Sequence, residues 1–193
     1  MIGEDTKLRC GIEIGLICMA LKIKEKLEQA NIILVLVPSV DYGKTVVDIS
    51  KELSDKSLCY VSLNKTFGSL KENFDKAKMR MDSVIVIDAI SKTIRNTPNQ
   101  TAGCYFVSSP AAFTEISILV SKILRHKFEY VIFDSLTNLL VYSDKGQIVR
   151  FVSNIVNQAR ENKAKVVLFA LDIDEQQALI KECTMAVDEV IKL

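Results

Sequence analysis

The stretch IILVLVPSVDYGKTVVDIS, residues 32–50, indicates the fold of the chain. It begins with an uninterrupted apolar run, residues 32–37, which is typical of a strand that is covered on both faces of a sheet. A short polar segment follows, and residues 44–54 then carry apolar side chains at helical spacing. The stretch therefore predicts a buried strand, a turn and a helix.

Outward from this unit, strands and helices continue to alternate along the chain. The predicted strands are 58–63, 83–90, 104–108, 130–135, 165–172 and 186–193, and the predicted helices are 66–80, 110–126 (capped by Ser109), 147–162 and 174–183. The polar segment 91–102, which contains Pro98, is predicted to be a loop. This alternation predicts an α/β fold with a mainly parallel central sheet and helices on both faces.

The N-terminal part of the chain predicts a helix over residues 7–29, and its first half is apolar nearly all round. Such a helix packs deeply on its own domain or lies at a contact with a second chain. We therefore predict two parts. Residues 1–30 form an N-terminal helix, packed on the core or at an oligomer contact, and residues 31–193 form one α/β domain.

Composition and charge narrow the class of protein. The 193 residues are 49% hydrophobic with a formal net charge of +1, so a folded core is expected and a general affinity for nucleic acid is not. The apolar run 14–21 is too short to span a membrane, and the acidic start of the chain is unlike a secretion signal. Five cysteines without a C-x-x-C pair indicate reduced, buried thiols in a cytoplasmic protein, and the lone His126 disfavours a metal site.

Residues 38–45, PSVDYGKT, keep the spacing of the phosphate-binding loop G-x-x-x-x-G-K-[ST] but begin with proline. In such a loop, backbone N–H groups and the lysine hold phosphate oxygens, and the Ser/Thr hydroxyl holds magnesium. The predicted nucleotide-binding residues are Ser39, Tyr42, Gly43, Lys44 and Thr45.

Two residues of this segment oppose nucleotide binding. Pro38 fixes its own φ and has no N–H, and Asp41 brings a negative charge towards a polyphosphate. Two unit charges about 4 Å apart interact by about 4 kcal/mol at an effective dielectric constant of about 20. The alternative interpretation is an ordinary connection between strand and helix, in which Lys44 is a surface lysine, and both interpretations remain open.

A second motif is the strand YVIFD, residues 130–134, which ends in a carboxylate. An aspartate at the tip of an apolar strand is the Walker B pattern, in which the carboxylate holds magnesium through water. The pattern is weak alone and gains weight beside Gly43-Lys44-Thr45 on another strand. We therefore predict Thr45 and Asp134 as magnesium ligands, with ATP and Mg²⁺ as cofactors.

The run DSLTNL, residues 134–139, resembles the D-S-L-T-x-L of the KaiC-like branch of the RecA superfamily of P-loop ATPases. Segments 59–74, 84–91 and 148–172 resemble the same family in the same order, so the resemblance covers roughly residues 31–193. It implies a three-layer RecA-like fold, an ATP site that commonly lies between subunits, and hence a homo-oligomer. The family's second strand usually ends in glutamates that activate water, and the matching positions are Asn64 and Lys65, which are not carboxylates.

These observations leave three hypotheses for function. The first is a nucleotide-binding regulator with a degenerate Walker A loop and slow or absent ATP hydrolysis. The alternative is a non-catalytic pseudo-ATPase that acts as an interaction or oligomerisation platform for itself or for a protein partner. The second alternative is an active ATPase whose sites are shared between subunits. Because Asn64 and Lys65 replace the base, an efficient ATPase is not expected.

Overall fold

The computed structural model describes residues 22–193, and most of the predicted N-terminal helix lies outside them. The described residues form eight strands: β1 (Ile32–Val37), β2 (Leu58–Ser62), β3 (Val84–Asp88), β4 (Gln100–Thr101), β5 (Cys104–Phe106), β6 (Tyr130–Asp134), β7 (Lys165–Leu171) and β8 (Glu189–Lys192). The helices are α1 (residues 22–26), α2 (Tyr42–Leu53), α3 (Phe67–Lys76), α4 (Ser91–Ile94), α5 (Phe113–Arg125), α6 (Lys145–Glu161) and α7 (Gln177–Cys183). Two 3-10 helices are Leu136–Val141 and Asp174–Gln176.

The strands of the described residues join in one sheet, in the order β4-β5-β3-β2-β6-β7-β1-β8. Every neighbouring pair is parallel except β4 and β5, which are antiparallel. The predicted α/β class and mainly parallel sheet are confirmed.

The apolar runs that predicted strands are buried because the sheet is packed on both faces. In β1, Ile32, Leu34 and Leu36 belong to one apolar cluster, which also contains residues of α5, α6 and α7. The alternate residues of β1 belong to a second cluster, which contains residues of α2 and α3 together with Ile23 and Leu27. Successive side chains of a strand point to opposite faces, so these clusters lie on the two sides of the sheet.

Several predicted boundaries were wrong. The segment 91–102, predicted as a loop, contains α4 and the short edge strand β4. Helix α5 begins at Phe113 and not at Pro110, because Ser109–Ala112 forms a turn in which the Ala112 N–H donates to the Ser109 carbonyl at 3.0 Å. Helix α2 begins at Tyr42, two residues before the predicted start, and this shift changes the site.

None of the helices in the described part of the chain has the length and apolar composition needed to span a membrane.

Candidate functional site

The connection between β1 and α2 is short and exposed. It consists of the four residues 38–41, and Val40 at its centre is 91% exposed. Because α2 begins at Tyr42, Gly43 and Lys44 lie in its first turn and not in a loop that precedes it. Asp41 stands at the N-cap position but its side chain caps no N–H group, and Ser39 lies exposed in the turn.

Asp134, at the end of β6, is the centre of the candidate site. Its side chain is fully buried and accepts three hydrogen bonds. The Tyr42 hydroxyl donates to Oδ1 at 2.7 Å, the Asn64 amide donates to the same oxygen at 2.8 Å, and the Tyr60 hydroxyl donates to Oδ2 at 2.6 Å. Hydrogen bonds to a charged acceptor are the strong ones in proteins, so the protein's own groups satisfy both carboxylate oxygens. We call these four residues the Asp134 cluster.

The two tyrosines of the Asp134 cluster are held as donors. Burial raises the pKa of the Tyr42 phenol well above its usual value, and the negative charge of Asp134 raises it further. The same two causes, in the same order, raise the pKa of Tyr60. Tyr60 also packs edge-on against Phe74, with ring centroids 5.3 Å apart. Both hydroxyls therefore keep their protons at neutral pH and point them at the carboxylate.

Asn64 completes the cluster from the residues that follow β2. Its amide N–H₂ donates to Asp134, and its Oδ1 is buried without a hydrogen-bond partner among the described residues. An amide has no basic group, so this side chain orients the carboxylate without accepting a proton from water.

The DSLT part of the family-like motif also makes internal contacts. Ser135 and Thr137 are buried, and their hydroxyl oxygens lie 2.6 Å apart. The Thr137 hydroxyl oxygen accepts the backbone N–H of Leu171, at the end of β7, at 3.3 Å. These bonds tie the start of the 3-10 helix Leu136–Val141 to the neighbouring strand.

The remaining predicted residues are divided between core and surface. Thr45 is buried in the first turns of α2, where its N–H donates to the Asp41 carbonyl at 2.9 Å. Lys44 is exposed, and Lys65 is half-buried with its Nζ close to Gly43: a Cβ added to Gly43 would lie 3.8 Å from it. The nucleotide-binding roles of Ser39, Tyr42, Gly43, Lys44 and Thr45 stay predictions.

This arrangement does not favour a magnesium ion at Asp134, because Oδ1 already accepts hydrogen bonds from Tyr42 and Asn64 and Oδ2 accepts one from Tyr60. Tyr42 or Asn64 would have to move before Oδ1 could hold a metal. Elsewhere in residues 22–193, no group of three or more His, Cys, Asp or Glu side chains is arranged to hold a metal ion. The magnesium roles of Thr45 and Asp134 therefore stay predictions that no contact of these residues supports.

Sequence patterns did not predict the roles of two further residues, Tyr60 and Asp88. Tyr60 and Ser62 are the two polar side chains of the otherwise apolar strand LCYVS, and the Tyr60 hydroxyl within this buried run was the available signal. Asp88, at the end of β3, is fully buried and accepts the backbone N–H groups of Phe67, Ile90 and Ser91. It also accepts the Ser91 hydroxyl, so it anchors the first turn of α3 to the end of β3.

No protein-family model and no curated protein matches the chain. The resemblance to the KaiC-like branch of the RecA superfamily therefore depends on the strand-end residues alone.

Proposed function

We propose that the chain is a non-catalytic pseudo-ATPase of the KaiC-like, RecA-like type that acts as an interaction platform. The observation that supports this most is the Asp134 cluster, in which Tyr42, Tyr60 and Asn64 bind the carboxylate that an ATPase would use for magnesium. The residue that would carry the metal instead joins α2 to the centre of the sheet.

The free energies of the hydrogen bonds to Asp134 favour a structural role for this carboxylate over magnesium binding. A hydrogen bond to a charged group contributes about 1.5–3 kcal/mol, and a buried polar group left without a partner costs about 1–3 kcal/mol. Binding magnesium at Oδ1 of Asp134 would compete with the hydrogen bonds from Tyr42 and Asn64. Hydrolysis would further need a group that accepts a proton from water, and neither Asn64 nor Lys65 is the carboxylate that would do this.

The test is a titration of Mg-ATP into the full chain while its melting temperature is followed. A ligand that binds only the folded state at about 100 times its Kd stabilises that state by about 2.7 kcal/mol, which is readily seen. We expect no shift at about 1 mM Mg-ATP, and Lys44→Ala should behave like the parent protein. A shift in the parent protein that Lys44→Ala abolishes would contradict the proposal, as would phosphate release well above background.

A nucleotide-binding regulator without hydrolysis is the second candidate, and one observation favours it. Lys44 is exposed and the Lys65 ammonium lies beside Gly43, so two positive charges flank the first turn of α2. Such a site would hold phosphates without a metal. It predicts that ATP raises the melting temperature equally with and without Mg²⁺, and that Lys44→Ala removes the effect.

A further inference from the structure

A groove of about 500 Å³ runs between α2 and α3 on the surface of the domain. One flank carries Gly43, Lys44, Asp48 and Lys51, which recur on one face of α2. At 1.5 Å per residue, this flank is about 12 Å long. The opposite flank begins at Lys65 and follows α3. The groove is thus large enough for a short segment of extended chain.

The lining of this lysine groove is strongly positive. Four lysines, Lys44, Lys51, Lys65 and Lys76, face a single carboxylate, Asp48. None of the four lysines forms an ion pair with any residue between 22 and 193, whereas seven other Lys or Arg side chains in that range do. The chain as a whole carries a formal net charge of only +1, so this concentration of positive charge is local.

We propose that the lysine groove binds an acidic segment of a partner protein, in extended conformation, with its carboxylates on the four lysines. This inference depends on the proposed role of the chain as an interaction platform, and it names the surface and the kind of partner. Complementary charge steers such a segment to the groove and fixes its register.

The lining favours a peptide over a nucleic acid. Val47 and Ala77 supply apolar surface, and Asn73 supplies an amide, between the lysines. A peptide with carboxylates at alternate positions places uncharged side chains and backbone groups against these residues. A nucleic acid carries a charge at every phosphate, so it would offer no uncharged groups at regular intervals to the apolar surface of Val47 and Ala77.

The experiment uses the full chain and a fluorescent peptide of about eight residues in which glutamate alternates with serine, long enough at about 3.3 Å per residue to exceed the groove. Binding is followed by fluorescence anisotropy at low salt. The variant is Lys51→Glu with Lys76→Glu, because both residues lie in the groove and outside the predicted nucleotide-binding residues. The matched control is Lys71→Glu with Lys181→Glu, which makes the same change of net charge at exposed positions outside the groove.

We expect the groove variant to weaken peptide binding at least about tenfold and the control variant to change it less than about twofold. Added salt should weaken binding, since the Debye length falls from about 10 Å at 0.1 M to about 3 Å at 1 M. Equal weakening by the two variants would overturn the inference, and so would equal binding of a peptide with lysine in place of glutamate.

Two further outcomes would also overturn it. A single-stranded RNA of similar length that binds more tightly than the peptide, and loses affinity in the groove variant, would assign the groove to nucleic acid. Absence of peptide binding would remove the inference but leave the proposed function standing, because that function fails only if Mg-ATP binds or is hydrolysed.

Discussion

The Tyr42 hydroxyl donates to Oδ1 of Asp134 at 2.7 Å, although 92 residues separate the two in sequence. Tyr42 is the first residue of α2 and Asp134 is the last residue of β6, so the bond fixes the start of a helix to the middle of the sheet. The carboxylate that the strand-end pattern assigns to magnesium is therefore part of the packed core. We therefore expect substitutions in the Asp134 cluster to lower the free energy of unfolding.

Tyr42→Phe keeps the ring and removes the hydroxyl. Oδ1 of Asp134 then keeps only the Asn64 amide, and the buried charge loses a strong hydrogen bond. We expect the free energy of unfolding to fall by about 1.5–3 kcal/mol, measured by urea denaturation with an unchanged m-value. The control is Tyr142→Phe, since Tyr142 is 43% exposed and its hydroxyl forms no hydrogen bond within the described residues. Equal effects of the two substitutions would show that the Tyr42 bond contributes nothing.

The charge of Asp134 should set the strength of the bond from Tyr42. Asp134→Asn keeps the shape of the side chain but removes its charge and places an amide donor among other donors. Tyr42→Phe should therefore destabilise the Asp134→Asn protein less than it destabilises the parent protein. We expect a coupling free energy of at least about 0.5 kcal/mol from the double-mutant cycle. Strict additivity of the two substitutions would contradict a charge-assisted bond.

Asp88 supports the end of its own strand, β3, in a different way. It accepts three backbone N–H groups and one hydroxyl, and an asparagine at this position has only one acceptor oxygen. Asp88→Asn should therefore lower the free energy of unfolding by about 2–4 kcal/mol, since at least one buried N–H group loses its partner. Asp75→Asn, at an exposed position of α3, is the matched control and should change it by less than about 0.5 kcal/mol. A similar loss in both variants would refute the anchoring role of Asp88.

Much of the fold could be predicted from the sequence, because a strand that is buried on both faces of a parallel sheet appears in the sequence as an uninterrupted apolar run. The run 32–37 predicted β1 at its observed bounds, since every one of its residues is buried. The short strand β4 lies at the sheet edge with both residues exposed, so no apolar pattern marks it. The start of α5 was missed because Ser109 and Pro110 suit a turn as well as a helix.

The site was harder to predict, because its contacts depend on distances between elements. The sequence correctly placed Asp134 at a strand end, but the three donors around it come from α2, from β2 and from the segment after β2. Tyr60 lies directly opposite Ile132, and its long side chain reaches two residues further to Asp134. The spacing of Gly43, Lys44 and Thr45 is compatible with a loop and with a helix. The structure has the helix, because Tyr42 is buried as the first residue of α2.

Three described cysteines, Cys59, Cys104 and Cys183, should resist thiol reagents in the folded protein. Burial raises the pKa of each thiol to about 12, so about one in ten thousand is a thiolate at pH 8. We expect iodoacetamide to label these three positions only after urea unfolds the chain, as read by mass spectrometry of proteolytic peptides. Rapid labelling of Cys59 without urea would contradict its burial in β2.

The same groups should make the fold sensitive to alkali. The pKa of each of the three thiols is about 12 in the folded protein against a usual value of 9.0, and burial also raises the pKa values of Tyr42 and Tyr60. A group that holds its proton more tightly when folded contributes stability that is fully present below its unfolded pKa and is lost as pH rises through its folded pKa. The free energy of unfolding should therefore be nearly constant between about pH 7 and pH 8 and fall steadily above about pH 9.

Urea denaturation at a series of pH values measures this dependence. Cys59→Ala should reduce the slope above about pH 9, since it removes one of the groups that lose protons on unfolding. A free energy of unfolding that stays constant up to about pH 11 would contradict the burial of these groups.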